Sequence, residues 1–232
     1  MFAIDHAATA LLIKRRFPAV PMAPLLISVQ AMELAWVGLN YAGIEQTTTE
    51  SAVHSVADIH LSFMPYSHSV ATAIGGAFFV WLIVEKVLRR PLLGRALAIG
   101  IVSHLVLDLA THARDIAWWP GSGWPALGLG LYEHSPMSGF AVEMAYGVLC
   151  WWIFRGRASL LAAIVLGNLA NLTMFSVALA GPEEYMAGRP LLIVTVILVQ
   201  IVVTMGLIGG LARGPATRRS SAIAMPRKGW AS

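Results

Sequence analysis

The sequence predicts an all-α, polytopic membrane helix bundle of about six transmembrane helices, preceded by an N-terminal half-helix. Three observations carry that expectation. Of the 232 residues, 57% are hydrophobic and 12% are charged, where a soluble domain carries roughly a quarter charged residues. Six stretches reach the roughly 20 mostly apolar residues that a span requires: Ala23–Ile44, Tyr66–Val87, Leu92–His112, Gly139–Phe154, Ser159–Ala180 and Leu191–Ala212. Finally, the basic residues segregate. When the six helices alternate, Lys14, Arg15, Arg16, Lys86, Arg89, Arg90, Arg95, Arg155, Arg157 and Arg213 share one side with the basic residues of the tail, and only Arg114 and Arg189 fall on the other.

Each element follows in turn. Phe2–Ile13 is apolar but long enough for only half a bilayer, and Pro18 and Pro21 mark the turn after it. The six longer stretches are too uniformly apolar for barrel strands, and in lipid a helix satisfies its own backbone. The positive-inside pattern puts both ends of the bundle in the cytoplasm and turns Glu45–Pro65, Ala113–Pro136 and Gly181–Arg189 outward. Trp118, Trp119, Trp124 and Tyr132 suit a loop lying in the outer interface. The expected location is a bacterial inner membrane, with the lipid bilayer as partner. The net charge of +4 is accounted for by topology and not by nucleic acid. Cys150 is the single cysteine, which excludes a disulfide framework and a thiolate zinc site. Asp5 and His6 stand where a signal peptide would be basic, so no cleavable signal is expected. Residues 1–212 read as one transmembrane domain, with a metal-site half (1–136) and a scaffold half (137–212). Residues 213–232, rich in Ser, Arg, Pro and Ala, read as a disordered cytoplasmic tail.

Ionisable side chains at bilayer depth cost about 2.5–3.5 kcal/mol each on insertion scales and usually mark function. Here they are Glu33, His104, Asp108, His112 and Glu143, joined by Asp5, His6 and His68 near helix ends. His104, Asp108 and His112, spaced i, i+4, i+8, share one helical stripe. Imidazole and carboxylate are ligands for a zinc- or iron-type ion; the same stripe also suits a polar seam between helices. At 1.5 Å per residue, Glu33 lies about 16 Å beyond Met22, His104 about 14 Å beyond Arg95, and His6 about 12 Å from Lys14. These depths agree to within a helical turn. His54, Asp58 and His60 in the first outer loop read as solvated, as does His134 beside Glu133.

Asp5-His6-Ala7-Ala8, Gln30-Ala31-Met32-Glu33, Tyr66-Ser67-His68-Ser69 and Ser103-His104-Leu105-Val106-Leu107-Asp108 together resemble the YdjM-like family of membrane-bound, metal-dependent hydrolases. That family carries an early His, an acidic residue in the next helical region, a Thr/Ser-His-Ser element and a Ser-His-x-x-x-Asp element. The resemblance covers roughly Ile4 to Pro136. This chain has the single Glu33 where the family's acidic element is commonly Asp-rich, and His134 where Asn is usual. The resemblance implies His6, Glu33, His68, His104 and Asp108 as metal ligands. His112 is an outer ligand or supporting partner, and Glu33 and Asp108 are the candidate catalytic carboxylates. A divalent metal is expected, zinc first for an N/O site without thiolate. A more distant similarity to zinc-dependent phospholipase C implies hydrolysis of a lipid or phosphoester. Two other functions fit the same residues: a metal-ion or proton transporter using the polar column as a relay, and a non-catalytic membrane subunit whose polar seam packs helices.

Overall fold

A computed structural model describes residues 1–176 and 178–212; the tail expected at 213–232 lies outside the described residues. The N-terminal helix α1 (Ala3–Arg16) is not peripheral. Every residue from Ala3 to Leu11 is buried, and the helix packs against α2 (Met22–Val29), α5 (Pro91–Thr111), α7 (Pro136–Phe154), α8 (Ala158–Leu169) and α9 (Pro190–Leu211). The half-helix is therefore the axis around which the bundle is built. Its alanines at positions 3, 7, 8 and 10 let neighbouring backbones approach closely, as small residues do in membrane packing.

Among the described residues, four helices are long and apolar enough to cross a membrane. They are α4 (Val70–Trp81) with its π-helical continuation to Val87, then α5, α7 and α9. A fifth arises if α2 and α3 (Ala31–Tyr41), bent by 56° at Gln30, count as one span. Six were expected, and the two departures have local causes. Ala23–Ile44 is broken at Gln30, whose buried side chain donates to the carbonyl of Ala3 at 2.7 Å and so ties the break to α1. Ser159–Ala180 is helical only to Leu169, followed by a 3₁₀ turn at Leu172–Phe175. Asn168 and Asn171 there donate from their side chains to the carbonyls of Ile164 and Gly167, the local competition by which short polar side chains weaken helices. Non-helical backbone at membrane depth is tolerated where it is buried in protein or lines a cavity, and both breaks meet that condition. The expected fourth span starts earlier than read, because Pro136 opens α7 at its first turn.

The predicted outer loops are ordered. Glu45–Pro65 contains a two-stranded antiparallel hairpin, β1 (Gln46–Thr49) with β2 (Ile59–Phe63). Ala113–Pro136 straps across two helix ends. Val70 and Ala71, at the start of α4, donate their N–H groups to Ala117 and Trp118, and Gly130 donates to the carbonyl of His112 at the end of α5. A one-turn helix, α6 (Leu131–His134), leads into α7. The strap satisfies backbone groups that helix ends leave open and fixes the two ends that carry His68 and His112.

Candidate metal centre

His68 immediately precedes Ser69, the residue that caps α4 by accepting from the Thr72 N–H at 3.2 Å. This position aims the imidazole inward, and it is 1% exposed. Its Nδ1 lies 2.8 Å from Ser67 Oγ, and Ser67 donates its one proton to Glu45 Oε2 at 2.6 Å. Ser67 must then accept from His68, so Nδ1 carries a proton and, in the neutral ring, Nε2 keeps a lone pair. Glu45 is held in turn by the backbone N–H groups of Tyr66 and Ser67, each at 2.8 Å to Oε1.

His104 reaches the same state by a different route. Its Nδ1 lies 2.7 Å from the carbonyl of Val29, an acceptor only, so Nδ1 is protonated and, in the neutral ring, Nε2 is a lone pair. The break at Gln30 ends α2 at Val29 and starts α3 two residues before Glu33, so it serves both the acceptor for His104 and the placement of Glu33. Gly100, one turn before His104, allows α2 to lie this close. A Cβ there would overlap the hydroxyl of Ser28 and lie 2.9 Å from its Cβ.

The two lone pairs face two carboxylates. His68 Nε2 is 3.3 Å from Glu33 Oε2 and 3.6 Å from Asp108 Oδ2; His104 Nε2 is 3.7 Å and 3.0 Å from the same atoms. Four atoms about 2 Å from a shared ion at tetrahedral angles lie about 3.3 Å apart. His68 Nε2, His104 Nε2 and Asp108 Oδ2 are buried with no hydrogen-bond partner, a costly arrangement unless something bonds to all of them. The ligand atoms form two groups, each within 4.8 Å: Glu33, His68 and His104, and His6, His104 and Asp108. His6 stacks on His104 with ring centroids 3.7 Å apart and sets Nε2 3.1 Å from Asp108 Oδ1. His112 sets Nε2 3.7 Å from the same oxygen and Nδ1 3.4 Å from Asp115. The amino group of Met1 is 2.8 Å from Asp108 Oδ1 and 2.9 Å from Thr111 Oγ1. Asp108 thus presents one oxygen to each group. With both imidazoles neutral, Glu33 and Asp108 bring two negative charges into the bundle interior; the Met1 ammonium offsets one of them, and the charge that remains favours a cation between the two carboxylates.

The structure brings together all six residues singled out as ligands. His6 is 1% exposed and so is no surface histidine on a loose terminus. Asp5 and Glu143, the other two ionisable residues at this depth, bond to groups other than the histidines. Asp5 accepts from Asn168 at 3.4 Å, and Glu143 accepts from the N–H of Phe2 at 3.2 Å and from the Tyr132 hydroxyl. The outer-loop residues serve local structure. Asp58 caps the 3₁₀ turn at Val56–Asp58, His60 pairs with Glu50 at 2.9 Å, and His134 is exposed. Sequence reasoning missed Glu45 and the helix-breaking role of Gln30. Glu45 reads as the first residue of a loop, and its link to Ser67 spans 22 positions. Gln30 could have been flagged as a polar residue at membrane depth.

A cavity of about 740 Å³ adjoins the centre. Glu33 and His112 line it, together with Trp36, loop residues Ala113–Asp115 and the hairpin from Ile59 to Met64. Glu33 is 20% exposed, whereas His68, His104 and Asp108 are closed off at 1% or less. The centre therefore opens toward the end of the bundle expected to face outward. On the Lys14 side lies an apolar cluster that includes Ala7, Leu11, Leu25, Ala96 and Ile164. Compared with protein-family models, curated proteins and solved structures, the chain matches none.

Proposed function

We propose that the protein is a membrane-embedded, metal-dependent hydrolase acting on a lipid or phosphoester, with zinc as the metal. The observation that carries this reading is the pair of orphaned Nε2 lone pairs of His68 and His104, facing the Glu33 and Asp108 carboxylates beside an open cavity. The resemblance to the YdjM-like hydrolases points the same way.

His68, His104, Asp108 and Glu33 would hold the ion, with His6 and His112 on the far oxygen of Asp108. A divalent ion supplies Lewis acidity to a phosphoryl or carbonyl oxygen and brings the pKa of water to about 7. The chain's own residues do the rest. Ser67 and the Val29 carbonyl lock both imidazoles in the tautomer that leaves Nε2 free, the orienting role that outer partners play around metals. Glu33 turns Oε2 toward the histidines and lines the cavity, which leaves its other oxygen available to take a proton from water. The packed helices below exclude solvent from the opposite side. The strap Ala113–Pro136, with Trp119 and Trp124 exposed, seats the cavity mouth at headgroup level.

The apolar packing on the Lys14 side weighs against a transport path reaching both faces, and the orphaned lone pairs weigh against a seam whose only role is helix packing. The test is turnover of fluorogenic phosphoester lipids by the purified protein, before and after chelation. The reading expects activity that chelation removes and zinc restores; metal-free protein that is inert in every metal added would overturn it.

A further inference from the structure

The cavity has a second polar wall, built from the half of the chain that the metal centre does not use. Glu183, in the 3₁₀ turn Pro182–Met186, lines the cavity yet is 1% exposed. Its Oε2 accepts from the Thr173 hydroxyl at 2.9 Å, while Oε1 is buried without any partner. Among the described residues no Lys, Arg or His comes within ion-pair distance of it. Gly181 presses its backbone against this carboxylate: a Cβ there would overlap both Glu183 and Thr173, so the acid is held in a fitted cradle. Gln200 and Asn171 complete the wall. Gln200 donates from Nε2 to Asn171 Oδ1 at 2.8 Å, and Asn171 donates to the Gly167 carbonyl at 2.9 Å. One amide proton of each side chain thus goes to the protein, and Gln200 Oε1 remains as an acceptor.

This wall offers acceptors and negative charge, the opposite of what a phosphate or carboxylate needs. A buried carboxylate with one neutral donor is costly to keep, and a ligand hydroxyl would satisfy the oxygen without balancing the charge. A ligand N–H cation does both. Between the two polar walls the cavity is lined by Trp36, Ile193, Val196 and Ile197, which suits hydrocarbon.

We propose that the Glu183 wall binds a primary ammonium group, so that the cavity takes a zwitterionic amphiphile whose amine meets Glu183 while its phosphoester faces Glu33 and His112. The amphiphile is taken from the proposed function; the ammonium subsite stands on the cavity wall alone.

The experiment is calorimetric titration of the intact protein in maltoside micelles with dodecylphosphoethanolamine and with dodecylphosphoglycerol, which differ in whether an ammonium is present. The wild type binds the ethanolamine probe about tenfold more tightly, the scale of one charge-assisted hydrogen bond. Glu183→Gln brings the two affinities within about threefold of each other, a difference too small for a lost charged contact. His104→Ala, which disables the metal centre, weakens both probes and keeps their ratio. Equal binding of the two probes by the wild type overturns the subsite, as does a preference that survives Glu183→Gln. If His104→Ala leaves both affinities unchanged, the metal reading of the phosphoester end fails while the ammonium subsite stands.

Discussion

Replacing Ser67 by alanine removes an atom that no metal would touch, yet it should weaken metal binding. Ser67 Oγ accepts the Nδ1 proton of His68 at 2.8 Å and donates to Glu45 at 2.6 Å. Without it, the ring N–H is buried and unpaired, at a cost of about 1–3 kcal/mol. The imidazole can escape by moving its proton to Nε2, but that consumes the lone pair facing Glu33 and Asp108. Either outcome opposes the ion. Loss of such an orienting partner typically lowers metal affinity 10–100-fold, or about 1.4–2.7 kcal/mol. Glu45 retains its two backbone bonds from Tyr66 and Ser67, so the loop anchor survives and the effect should be local. The assay is competition for zinc against a chromophoric chelator in detergent. Ser69→Ala, two residues away, is the control. It removes the cap of α4, costs about 0.5–2 kcal/mol of stability, and should leave zinc affinity alone. A Ser67→Ala affinity within about threefold of wild type would refute the relay, since orienting partners act more strongly than that.

Gly100→Ala should lower both the unfolding temperature and zinc affinity, because the new methyl meets Ser28 and pushes the Val29 carbonyl away from His104; overpacking of this kind costs about 1–3 kcal/mol. Unchanged thermal unfolding would mean that α2 and α5 do not cross this closely. Metal removal should destabilise the fold. At a free ion concentration of about 100 times Kd, binding contributes about 2.7 kcal/mol, so chelation should lower the melting temperature in wild type and leave a His68→Ala, His104→Ala variant unmoved. Trp119→Ala with Trp124→Ala, which removes two rings in edge-to-face contact with centroids 5.2 Å apart, should reduce turnover of a lipid substrate more than it reduces metal content; equal losses would make the strap a purely structural cap. His54→Ala and His60→Ala should keep full metal content, and a loss in either would relocate the site to the hairpin.

Much of the site was legible because membrane burial makes polar residues conspicuous. Eight ionisable groups in an apolar background left few alternatives, and rise per residue alone placed Glu33, His104 and His6 at one depth. The fold was less legible where helix continuity depends on tertiary partners. Hydropathy averages over a window, so it passed smoothly across Gln30 and across Asn168–Asn171, where side-chain hydrogen bonds break the helices. The same blindness hid the role of α1. A 14-residue helix is too short to span, but nothing local reveals that five others pack around it. Glu45, Glu183 and the hairpin lay in segments read as solvated, where an acid raises no suspicion until its burial is seen.

Metal analysis of the purified protein tests the central claim most directly. Protein extracted without chelator should carry a divalent ion, zinc above iron or manganese, in stoichiometric amount. His68→Ala combined with His104→Ala should lose it, while a His54→Ala, His60→Ala pair should keep it. A monodisperse wild-type protein that holds no divalent ion and takes none up from zinc-, iron- or manganese-containing buffer would contradict the account, because the His68, His104, Glu33 and Asp108 cluster would then be held together without the cation it faces.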